Sequence, residues 1–127
     1  MKLNQTMRLV YSTRVLGELF KLYKYIDTDF VLIIQHDGYV LDGEMFDERL
    51  YLYDYCGALW TEKDGLNNGN GGFSWRSKKL CEAVGKDVVI EITRPEDVAI
   101  CRIYRRYLEN NYGLKWATDD IAENFSY

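Results

Sequence analysis

From Ser12 to Tyr25 the apolar residues Val15, Leu16, Leu19, Phe20, Leu22 and Tyr23 recur at three- and four-residue steps, and Ile26 continues the spacing. That period predicts an amphipathic helix. Thr28 and Asp29 break it, and Phe30-Val31-Leu32-Ile33-Ile34 follows without a polar residue. A short run that is apolar at both alternating sets of positions suits a strand buried on both faces, in the middle of a sheet covered on either side. It stops at Gln35-His36-Asp37-Gly38. In α/β sheets ligands gather beyond the carboxyl ends of strands, so these residues are the first candidates for chemistry.

Leu41 to Asp47 reads as a turn entering a short helix, and Leu50 to Tyr55 alternates as a strand does. Between Thr61 and Gly72 there is no periodicity, and Leu66-Asn67-Asn68-Gly69-Asn70-Gly71-Gly72 predicts a loop with unusual backbone angles. A helix is expected from Ser77 to Val84, stopped at Gly85. Val88 to Ile92 is either a strand or a buried connection. Pro95 fits the first turn of a helix, with Glu96 and Asp97 at its positive end, and that helix should reach Asn110 or Asn111. A last short helix lies in Leu114 to Tyr127, with Thr118 as its cap.

The length of 127 residues fits one domain. Folding should bury roughly two-thirds of the unfolded chain's surface, enough to stand without disulfides or a structural metal. Cys56, Cys81 and Cys101 make no CxxC pair and sit among apolar or small neighbours, so they read as reduced core residues of a cytoplasmic protein. The longest apolar stretch, Phe30 to Ile34, is far short of the roughly 20 residues that cross a bilayer. A net charge of −4 argues against a nucleic-acid polymer as partner. Arg102, Arg105 and Arg106 form a local basic cluster, which is either a solvated helix face or a ligand contact.

Three polar features carry candidate chemistry, and each has a plain structural reading beside it. Asp37 after the buried strand is a turn cap or a metal ligand. The segment Gly69-Asn70-Gly71-Gly72-Phe73-Ser74 is an ordinary turn or a place where backbone closes on a ligand. Glu96-Asp97 is a helix-dipole pair or a catalytic one.

As an ordered set these features resemble a family of GT-A-type glycosyltransferase-like domains, over that family's carboxy-terminal two-thirds. The likeness runs through TDFVLIIQHDGYVL (Thr28 to Leu41), YDYCGALW (Tyr53 to Trp60), NGNGGFSWRSKKL (Asn68 to Leu80) and PEDVAICRIYRRYLENNYGLKWATDDIAENFS (Pro95 to Ser126). Cys56 and Leu59 stand where the family usually has isoleucine and proline. The resemblance implies an α/β fold, a truncated GT-A-like, Rossmann-like mixed sheet flanked by helices, and transfer of a sugar from a nucleotide-sugar donor to a glycan or other hydroxyl acceptor. Asp37 would hold a divalent metal, manganese or magnesium, that neutralises the departing diphosphate. His36 takes the first acidic place of the Asp-x-Asp-like element and would either donate to phosphate with Gln35 beside it or pack against the sheet. The backbone of Asn70, Gly71 and Gly72 would close on the sugar, with Phe73 or Trp75 as a stacking face and Trp60 as a wall or a core residue. Asp97 or Glu96 would be the base that deprotonates the acceptor hydroxyl, as in the Glu-Asp element of fringe-like transferases.

Members of that family carry further strands, which hold the base and ribose, ahead of the first matching helix. Their absence from this chain implies a homo-oligomer, or a partner chain that covers the missing half. A non-catalytic nucleotide- or sugar-binding remnant is the alternative reading, with the arginine cluster and the tyrosines lining an intersubunit site.

Overall fold

A computed structural model describes residues 7–12, 23, 24, 26–35, 47–91 and 96–125, with residues 7–12, 35 and 70–72 described by their backbone path. Four strands form one mixed sheet. β1 (Met7–Ser12) runs parallel to β2 (Phe30–Gln35), β2 pairs antiparallel with β4 (Asn68–Ser77), and β4 pairs antiparallel with β3 (Tyr55–Leu59), in the order β1-β2-β4-β3. β2 is thus an interior strand, as its unbroken apolar run requires, and Val31 through Ile34 are all buried.

The pleat sends β2 residues alternately into two cores. Leu32 and Ile34 join Trp75, Leu50, Cys56, Ile121 and Ala122 on one face, and Val31 and Ile33 meet Ile26 and Cys81 on the other. A further core on that second side holds Tyr55, Leu80, Val84, Ile100, Cys101, Leu108 and Trp116. α1 (Lys78–Lys86) and α3 (Arg105–Tyr112) supply part of this second layer, while α4 (Asp119–Phe125) lies against β3 on the first. The sheet is therefore covered on both faces among the described residues.

Of the helix expected over residues 12–25, Ser12 instead ends β1, Tyr23 and Lys24 form a tight 3₁₀ turn, and the remainder lies outside the described residues. The strand expected at Leu50 to Tyr55 is displaced. Glu48–Leu52 is a 3₁₀ helix because the Asp47 carboxylate accepts the Arg49 backbone N–H at 2.9 Å and grips the Arg49 guanidinium, which nucleates the turn. Burial of Leu50 and the edge-on contact of Tyr51 with Trp75 then hold it, so the strand begins only at Tyr55.

The glycine-rich loop is also corrected, since Gly69, Gly71 and Gly72 lie within β4. Ladder pairing on both sides, Ala58 with Asn70 and Ile34 with Phe73, outweighs the weak strand preference of glycine. The irregular pairing around Ala58 is the bulge that glycines in strands commonly mark. Gly69 is small for a further reason: a Cβ there would lie 2.4 Å from the Trp60 ring and 2.7 Å from the Cys101 Cβ. The true loop is 60–67, where Gly65 takes a φ of 81°.

α1 is capped by Ser77, whose hydroxyl accepts the Leu80 N–H at 3.0 Å, and it passes through Gly85 to end at Lys86. Val88 and Val89 form an exposed turn and Ile90 is buried, so a connection rather than a strand follows. The helix expected after Pro95 is broken into α2 (Glu96–Val98), a π-helical segment Ala99–Ile103, and α3, which stops at the left-handed Gly113. α4 forms as expected, opened by the Thr118 carbonyl, which accepts the Ala122 N–H at 2.9 Å.

Candidate functional site

The β2–β4 register decides what lies beside the end of β2. Ile34 pairs with Phe73, the neighbour of Gly72, and β2 then leads through Gln35 to His36 and Asp37 in the sequence. His36 and Asp37 themselves lie outside the described residues. α2 packs against β4. The carboxyl end of β2, the Asn70-Gly71-Gly72 stretch and the helix bearing Glu96 and Asp97 are thus carried by neighbouring elements.

The two acidic residues of α2 have different surroundings. Glu96 is 6% exposed and its Oε1 accepts from Arg76 Nη1 at 2.5 Å, while Arg76 Nε donates to Ser74 Oγ at 3.2 Å. Burial works against the Arg76 charge, but the Glu96 carboxylate outweighs it and raises the guanidinium pKa above its ordinary value. Glu96 is therefore tied to the underside of the sheet. Asp97 is partly exposed, with Oδ1 accepting the Val98 N–H at 2.9 Å.

The aromatic residues separate as well. Trp75 is fully buried and stacks on Phe30 at 4.8 Å, so it offers no face to a ligand. Phe73 is half-buried, and one of its faces is taken by Phe125 at 4.9 Å. Trp60, at the end of β3, packs over Gly69 with the Arg102 guanidinium 5.8 Å from its ring centre.

Trp60 also walls an open cleft of about 820 Å³ between the 60–67 loop, Arg105 of α3 and the segment from Trp116 to Glu123. Asn68 fixes its floor: the side chain accepts the Gly57 N–H at 2.8 Å and donates to the Ala117 carbonyl at 2.8 Å. The arginine cluster divides here. Arg102 is held by Asp64 and the Leu66 carbonyl, Arg106 by Glu109, and Arg105 lies over the Trp116 ring at 5.2 Å.

The sequence pattern of a family of proteins of unknown function, DUF5672, matches residues 9–127. The chain belongs to this family. No curated protein and no solved structure matches it.

For this DUF5672 chain, the described residues contain no group of three or more histidine, cysteine, aspartate or glutamate side chains able to hold a metal ion. No helix among the described residues is long and apolar enough to cross a membrane. Cys56, Cys81 and Cys101 are free and buried, and burial pushes each thiol up to about 12. Two features of the DUF5672 site went unread in the sequence. Arg76 gave no signal as the partner of Glu96, because that pairing spans strand and helix. Trp116 and Asn68 gave none either, since the cleft exists only once the carboxy-terminal segment crosses β3.

Proposed function

We propose that this DUF5672 protein is a nucleotide-sugar-dependent glycosyltransferase of GT-A type, transferring a sugar to a hydroxyl acceptor. The observation that carries the reading is the register that pairs Ile34, near the end of β2, with Phe73 beside Gly72, while α2 packs on the same strand β4. On this reading Asp37 and the donor diphosphate hold a divalent cation, which offsets the negative charge that develops on the leaving group. The backbone of Asn70, Gly71 and Gly72 approaches the sugar, where any larger residue at 71 or 72 would intrude. Asp97 takes the acceptor proton, and Glu96, paired with Arg76, anchors α2 rather than acting as base. β1 is an edge among the described strands, and a second copy or a partner chain adding to that edge would complete the surface for base and ribose.

The test is nucleotide release from a panel of nucleotide sugars with manganese, comparing the wild type with Asp37→Ala. The reading expects release that depends on Asp37. Binding of a donor without release would instead support a non-catalytic binding protein.

A further inference from the structure

The cleft beside Trp60 is lined by two cations, Lys63 and Arg105, and two carboxylates, Asp119 and Glu123. This balance selects neither an anion nor a cation. The cleft instead presents donors and acceptors together, next to an indole.

Arg105 is the more desolvated of the two cations. Its side chain is 12% exposed, its Nε is buried without a hydrogen-bond partner, and its nearest carboxylate oxygen, on Glu109, is 3.7 Å away. A guanidinium has five N–H donors, and the Glu109 carboxylate, meeting only Nε, leaves the rest of that fork for other acceptors. Burial lowers the Arg105 pKa, an effect the Glu109 carboxylate only partly offsets. Asn67, Asp119 and Glu123 face the same space and accept hydrogen bonds.

We infer that this cleft is a binding site for a neutral saccharide. Ring hydroxyls accept from Arg105 and Lys63 and donate to Asp119 and Glu123, and the apolar face of the sugar lies against Trp60. As the acceptor site of a transferase the cleft rests on the function proposed above; as a saccharide site it does not. Asn68 and Gly69 join the cleft floor to the Asn70-Gly71-Gly72 stretch on the same strand, which sets a sugar bound here near the place where transfer would occur.

The test uses the full chain without any nucleotide. Saturation-transfer NMR against neutral mono-, di- and trisaccharides of glucose, galactose, mannose, xylose and N-acetylglucosamine is run beside glucuronate and glucose 6-phosphate. Trp60 and Trp116 line the cleft while Trp75 is fully buried, so tryptophan emission reports occupancy. A neutral sugar is expected to bind, with affinity falling at least tenfold in Glu123→Ala and in Trp60→Ala. Glu123 is exposed, so its loss leaves the fold intact. Arg105→Lys should weaken binding less than Arg105→Ala. Binding confined to the anionic probes, binding unchanged in Glu123→Ala and Trp60→Ala, or no transfer to any neutral sugar would each overturn the inference. Withholding manganese separates the two proposals: it should stop nucleotide release and leave saccharide binding as it is with the metal present.

Discussion

Replacing Glu96 by glutamine tests the division of labour within α2. Arg76 and Glu96 are 2% and 6% exposed and meet at 2.5 Å, so the substitution leaves a buried guanidinium without its counter-charge. Breaking one partner of a buried pair costs about 3–5 kcal/mol, a large part of the roughly 5–15 kcal/mol that keeps a domain folded. With a urea slope of about 2 kcal/mol per molar, the unfolding midpoint should fall by about 1.5–2.5 M. Arg76 Nη2 already lacks a hydrogen-bond partner, so no spare acceptor waits to take up the freed donor. The double variant Arg76→Met, Glu96→Leu removes both charges together and should recover most of the loss, because the desolvation cost of the ions disappears with them. A midpoint unchanged in Glu96→Gln, joined to loss of nucleotide release, would refute the assignment and make Glu96 the reacting carboxylate.

Three further outcomes are expected. Gly69→Ala drives a Cβ into the Trp60 ring and the Cys101 Cβ, which should cost about 1–3 kcal/mol in urea unfolding and shift tryptophan emission. Cys56, Cys81 and Cys101 should all resist a thiol reagent at pH 8 in the native state and react on unfolding, since each is buried with its pKa near 12. Tyr112 and Tyr107 hydrogen-bond to Asp87 at 2.6 and 2.7 Å, holding the Asp87 carboxyl below its ordinary 3.8 and pushing Tyr112 up to about 12. The Asp87 contribution is present above pH 3.8 and lost as pH falls through its lower folded value, while that of Tyr112 is present below pH 10 and lost toward 12; midpoints measured across pH should be flatter at both ends in Asp87→Asn.

The legible parts of the fold were those set by local pattern. β2 could be read because five consecutive apolar residues leave a strand few alternatives to the sheet interior, and α1 and α4 because each has a polar residue at its start and an apolar stripe. Part of what failed depended on distant partners and part on a local turn. The Asn68–Ser77 strand looks like a loop until β2 and β3 flank it, and glycine preference yields to the ladder. The 50–55 segment alternates like a strand, yet Asp47 and Arg49 had already begun a turn. The break between α2 and α3 has no proline or glycine to announce it.

The candidate site divides in the same way. The acidic pair was visible as a pair, but only the structure gives Glu96 to Arg76 and leaves Asp97 partly exposed. The arginine cluster was visible as charge, and only packing shows that Arg102 and Arg106 are held by close hydrogen bonds while Arg105, more loosely paired with Glu109, lines a cleft.

The most direct measurement is the rate of nucleotide release from a donor sugar, with manganese and a saccharide acceptor, in Asp97→Asn against the wild type. A general base contributes about 10²–10⁴-fold, so release should drop by at least a hundredfold while the urea midpoint stays in place. Equal rates in the two proteins, or no release by the wild type from any donor, would contradict the account.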